Sequence, residues 1–102
     1  NYAMAHPPKS MQALLKSAAI DDLDLQQNKA YIIHQPLALG TWEQIAWMLK
    51  HYGTDTVRDT FQTQPMKLYS PEALHFSHLI LDVPESQILR DRYDQTVPRN
   101  IG

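Results

Sequence analysis

The sequence has no cysteine among its 102 residues. That excludes disulfides and thiolate metal sites and makes a reducing, cytoplasmic setting the simplest expectation. Glycine is nearly as scarce: Gly40, Gly53 and Gly102 are the full set, so neither a glycine-rich phosphate loop nor a G-x-S-x-G nucleophile elbow is possible. With the cysteine nucleophile gone as well, the pattern points away from an enzyme. No apolar run approaches the roughly 18 residues of a membrane span, and the N-terminus lacks the charged-then-apolar layout of a secretory signal. Positive charge is sparse too. Nine Lys and Arg against eleven Asp and Glu leave a net charge of −2, and the basic residues are scattered from Lys9 to Arg99 without a run. Duplex DNA binding draws on phosphate neutralisation, so DNA is possible but not favoured as a partner.

What is present suits one small helical domain. An apolar share of 43% and a charged share of 20% give enough material for a single modest core, and nothing alternates long enough to read as a strand. The expected fold is therefore all-α: a bundle of about five to six short helices over residues 10–94. Residues 1–9, with Pro7 and Pro8 and little to bury, read as a disordered leader, and residues 95–102 as a frayed tail. Met4 reads as the native start, with Asn1 to Ala3 as a remnant before it.

The punctuation places the helices. Ser10 can cap "MQALLKSAAI", with Met11, Leu14, Leu15 and Ala18 on one side. Asp21, Asp22 and Asp24 then fall near the start of the next helix, where the dipole favours carboxylates; a calcium loop there would need a glycine and a closing glutamate that are missing. The second helix is expected from about Gln27 to Leu39, ended by Gly40, with a kink or a break at Pro36. Thr41 and Gln44 form a capping box for a third, Trp42 to Tyr52, which Gly53 stops. Thr54 can cap a fourth, "DTVRDTFQTQ", ended by Pro65. Ser70 and Pro71 open a fifth, "EALHFSHLILD", and Pro84 a short last one, "ESQILRDRYD".

The third helix poses a question through its two tryptophans. At about 100° per residue, Trp42, Ile45, Ala46, Leu49 and Tyr52 share one stripe, while Trp47 points roughly 140° away from Trp42, among Lys50 and His51. Either another helix, the one from Ser70 or the N-terminal one, covers this second face, or Trp47, with Lys50 and His51 as rim, is an anchor for another chain. Metal and DNA chemistry are weaker readings. Glu72, His75 and His78 recur at intervals of three and can approach one another on a helix, but the spacing is common and the expectation is a histidine pair at the edge of the core, with no metal and no cofactor. His6, His34 and His51 have no partner motif. The pair of helices around Gly53 invites a helix-turn-helix reading with Arg58 as the DNA contact, though Asp55 and Asp59 beside it suit a phosphate groove poorly.

The pieces "YIIHQPLALG", "TWEQIAWMLKHYG" and "YSPEALHFS", spread over the half of the chain from Tyr31 to about Leu81, resemble a small uncharacterised bacterial and archaeal family whose members are commonly encoded beside AbiE-class nucleotidyltransferase toxins. Pro36 departs from the family pattern, which has an ordinary helix former there. The resemblance implies an antitoxin-like partner protein that binds and neutralises a nucleotidyltransferase-type toxin, with no catalytic residue to carry over. The alternative is a helix-turn-helix regulator that could act on its own operon. No feature of the pattern selects an oligomeric state.

Overall fold

The computed structural model describes Met11, Leu14 and residues 23–98. Among these are four α-helices and no strand: α1 (Lys29–Leu39), α2 (Trp42–Tyr52), α3 (Thr54–Thr63) and α4 (Pro71–Leu81), followed by two 3-10 turns at Glu85–Gln87 and Arg90–Arg92. The helix expected after Ser10 lies outside the described residues apart from Met11 and Leu14, as do Asn1 to Ala3, the leader, Asp21 and Asp22.

The caps form as their chemistry requires. The Thr41 hydroxyl accepts the Gln44 amide proton at 3.2 Å and the Gln44 side chain accepts that of Thr41 at 2.9 Å, closing the capping box on two otherwise orphaned donors. Ser70 accepts from the Ala73 amide at 3.1 Å, with Pro71 at the first helical position. Gly53 lies at φ +87° and is both the end of α2 and the residue before α3. Thr54 is accordingly not the cap expected of it; it is already helical, and no side chain caps α3. Asp24 accepts the amides of Gln26 and Gln27 at 2.9 and 2.7 Å, which fixes the turn leading into α1.

Two expectations are corrected. Pro36 does not break its helix: α1 runs unbroken from Lys29 to Leu39, with the Gly40 amide donating to the Pro36 carbonyl at 2.9 Å. Helix α1 packs against α2, α3 and α4 alike, and burial of Ile32, Ile33, Pro36 and Leu37 offsets the one hydrogen bond that proline deletes. The last expected helix, "ESQILRDRYD", is instead the two 3-10 turns, with Ile88 and Leu89 extended between them. The count is four helices among the described residues, below the expected five to six.

The core has two parts. The larger joins Ile33, Leu37, Ile45, Met48, Val57, Phe61, Tyr69, Leu74, Leu81 and Tyr93. The smaller gathers Met11, Leu23 and Leu25 around Ile32, and Trp47 and Tyr52 of α2 touch both. After the second 3-10 turn the chain returns to the connector between α3 and α4. The Tyr69 amide donates to the Tyr93 carbonyl and the Gln95 amide to the Tyr69 carbonyl, each at 2.9 Å, in a single parallel bridge between Tyr69 and Asp94.

Candidate functional site

The end of α1, the start of α2 and one flank of α4 enclose a groove of about 350 Å³ lined by Leu37, Ala38, Gly40, Trp42, Ile45, Ala73 and Phe76, with Glu72 as its one charged lining residue. Trp42 is 60% exposed and Phe76 39%, and their rings meet edge to face at 6.3 Å and 82°. Leu39 and Leu79, 63% and 60% exposed, extend the apolar surface: Leu39 ends α1 and Leu79 follows Phe76 by one turn. Large apolar side chains gathered in the open around a groove are the usual mark of a binding surface.

The sequence-based anchor was the other tryptophan, and the structure reverses the two. Trp47 is half-buried, held between both parts of the core, because the segment carrying Leu23 and Leu25 covers the second face of α2; the Tyr52 hydroxyl donates to the Leu25 carbonyl at 2.6 Å and fastens it there. His51 stacks on Trp47 at 5.4 Å and 9°, and His51 and Lys50 are exposed. Trp42, assigned to the buried stripe, stands out in solvent. Helical side chains lean toward the N-terminus, so a residue at the first helical position overhangs the helix start, beyond the layer that α2 packs against.

Arg58 is committed inside the fold. Its Nε donates to the Leu81 carbonyl at 2.6 Å and its Nη1 to Asp55 at 2.9 Å, so it closes the C-terminal end of α4. Asp55, Asp59, Gln62 and Thr63 are the exposed residues around it on α3, a face of the wrong sign for phosphate.

The histidine pair is joined by a different glutamate from the one its spacing suggested. His75, His78 and Glu85 present ligand atoms that all lie within 4.8 Å of one another, in a cleft of about 160 Å³ that also involves Leu74, Ile88 and Arg90. Glu72 lines the groove on the other flank of α4. Asp82, in the left-handed conformation at φ 57°, ends α4 and turns the chain back: the Val83 amide donates to the His78 carbonyl at 3.0 Å, and Glu85 follows close to the rings.

A buried polar group escaped the sequence reading. His34 is fully buried, with Nδ1 at 2.6 Å from the Tyr69 hydroxyl and Nε2 at 2.7 Å from the Gln64 carbonyl. Burial lowers its pKa from 6.5 to about 4, against an opposing contribution from the Gln64 hydrogen bond. The same burial raises the Tyr69 hydroxyl well above its usual range. Lys67 donates from Nζ to the carbonyls of Asp91, Asp94 and Val97. The only local hint was "YIIH" itself, a histidine in an otherwise apolar turn of α1.

The fold and its surface thus define a small helical domain with an apolar groove. A family of unknown function (DUF6922) has a model that matches residues 12–61, a stretch that takes in α1, α2 and most of α3 and stops before α4. No curated protein and no solved structure matches the chain. Among the described residues no helix is long and apolar enough to cross a membrane.

Proposed function

We propose that this chain is a non-catalytic protein–protein interaction module, an antitoxin-like partner whose Trp42–Phe76 groove takes an apolar segment of a nucleotidyltransferase-type toxin. The observation that carries the binding role is the exposure of Trp42 and Phe76, in ring contact with each other on one groove, since tryptophan and other large side chains at the centre of such a patch dominate association energies. Glu72, alone in charge among the lining residues, favours a segment that brings a basic residue to the rim, where it would set approach and register more than affinity. The class of partner rests on the sequence resemblance. The setting consistent with it is the cytoplasm.

The test is to mix the purified chain with the product of the neighbouring gene, which this reading requires to be a nucleotidyltransferase, and measure association by size exclusion and calorimetry. A single complex is expected. Trp42→Ala and Phe76→Ala should each weaken it by about 30-fold or more while leaving the thermal midpoint nearly unchanged, because both rings stand in solvent. Two proteins that elute separately at all ratios overturn the proposal. Regulation through DNA is the second reading, and the engagement of Arg58 with Leu81 and Asp55 weighs against it. Promoter binding that falls steeply with added salt would restore it.

A further inference from the structure

We propose that His75, His78 and Glu85 form a binding site for one divalent transition-metal ion of the zinc class, where α4 ends and the chain folds back. This site lies on the opposite flank of α4 from the groove and stands independently of the function proposed above.

The histidines supply the first observation. They are three apart on one helix, with ring centroids 5.1 Å apart, and the left-handed turn at Asp82 delivers a carboxylate from outside the helix. All three ligand atoms lie within 4.8 Å of one another. A zinc ion with bonds of about 2.0–2.2 Å needs its ligand atoms about 3.3 Å apart. His75 and Glu85 are exposed, so side-chain rotation alone can close the difference.

The state of His78 is the second observation. Its Nδ1 lies 3.1 Å from the Val83 carbonyl, an acceptor only, so Nδ1 carries the proton and Nε2 presents its lone pair. That Nε2 is shielded from solvent and has no hydrogen-bond partner. It faces a Glu85 carboxylate oxygen at 3.9 Å, too far for a hydrogen bond. The buried lone pair of a neutral His78 ring therefore faces an exposed carboxylate oxygen, two electron-pair donors directed at the same space. A backbone carbonyl that fixes the distal ring nitrogen is also the outer-shell arrangement of metal-binding histidines.

The neighbouring charge does not oppose the ion. Arg90 borders the cleft, but its guanidinium pairs with the buried Asp94 carboxylate at 3.2 Å. Two imidazoles and one carboxylate match the borderline-soft preference of zinc over magnesium or calcium. Three protein ligands leave a fourth position for water or for a group from a bound partner.

The full chain, stripped with a chelator and dialysed, is titrated with zinc chloride by calorimetry and with cobalt chloride by visible absorption. One ion per chain is expected at micromolar concentrations, with the cobalt spectrum of a tetrahedral site. Because His75 and Glu85 are exposed, His75→Ala and Glu85→Gln should keep the wild-type circular dichroism, and each should weaken binding by more than about tenfold. Absence of uptake by the wild-type chain, or uptake that both variants retain unchanged, overturns the site; the latter would assign the ion to other histidines.

Discussion

His34 and Tyr69, 35 positions apart, share a hydrogen bond of 2.6 Å inside the core. Because Nε2 of His34 faces the Gln64 carbonyl, the proton is assigned to Nε2, and the Tyr69 hydroxyl donates to Nδ1. The ring is therefore held neutral, with a pKa of about 4 against 6.5 when exposed. Between those values the unfolded chain binds a proton that the folded chain refuses, so stability is fully present above pH 6.5 and declines as pH falls toward 4. The displacement corresponds to roughly 3 kcal/mol. Urea unfolding at pH 7.5, 5.5 and 4.0 should show the loss, and His34→Gln should flatten this part of the profile from a lower starting stability. Asp94 acts in a lower window. The Thr96 side-chain and backbone hydrogen bonds, then Arg90, hold its carboxyl below 3.8, so its contribution is lost only as pH falls through that lowered value.

Gly40 and Gly53 are needed for different reasons. A Cβ on Gly40 would lie 2.8 Å from the Pro36 Cα and 2.9 Å from its carbonyl oxygen, both backbone atoms that cannot turn aside. Gly53 has open space around it but sits at φ +87° and ψ 145°, a region that side chains disfavour. Each alanine variant should lose about 1–3 kcal/mol. Chemical denaturation checks both, and Gly53→Asn should recover less than it would at an ordinary left-handed cap, because ψ lies far from that well.

The two tryptophans should be separable by fluorescence. With Trp47→Phe the remaining Trp42 should emit at long wavelength and be readily quenched by iodide. With Trp42→Phe the remaining Trp47 should be shielded from iodide, since its ring is held between both parts of the core. Trp47→Ala should cost about 2 kcal/mol or more, since the ring joins both parts of the core.

Lys67 holds the chain after α4 by its carbonyls. Lys67→Met keeps most of the stem and removes the ammonium that the carbonyls of Asp91, Asp94 and Val97 share, at a cost of roughly 1–3 kcal/mol; the Asp94 carbonyl keeps the Val97 amide. Hydrogen exchange should quicken at Tyr93 to Val97, while the amides of α1 and α2 slow or quicken only with global stability.

What the sequence made legible is what short-range chemistry decides. Thr41 with Gln44 and Ser70 with Pro71 each complete their interactions within three residues, so the starts of α2 and α4 were readable. That Pro36 does not break α1 was not legible, because its local penalty is visible in sequence and the packing of three helices around α1 is not. Trp42 was misplaced because a helical wheel gives every turn the same surroundings, and the first turn of α2 overhangs. A regular spacing of three brings Glu72 to notice beside His75 and His78, yet at 100° per residue two such steps turn a side chain about 120° away, toward the groove. The partners of His34 and Lys67 are 24 to 35 positions distant, and no local pattern announces them. The groove belongs to this second kind, since α1, α2 and α4 each contribute one wall.

The bridge between Tyr69 and Asp94 has a consequence for how the chain acquires its shape. Phe61 stacks on Tyr93 and both meet Tyr69 edge to face, with centroids 4.7 to 6.0 Å apart, and the last of them arrives only after α4 and both 3-10 turns have been made. Until then α4 is moored mainly by its contacts with α1 and α3, with the Trp42–Phe76 ring contact at its edge. During synthesis the first three helices can therefore collapse early, while the histidine flank and the groove wall formed by α4 settle together in one late, cooperative latch. A released chain truncated just before Tyr93 should consequently be cut by protease within residues 64–92 and resist it within α1 to α3.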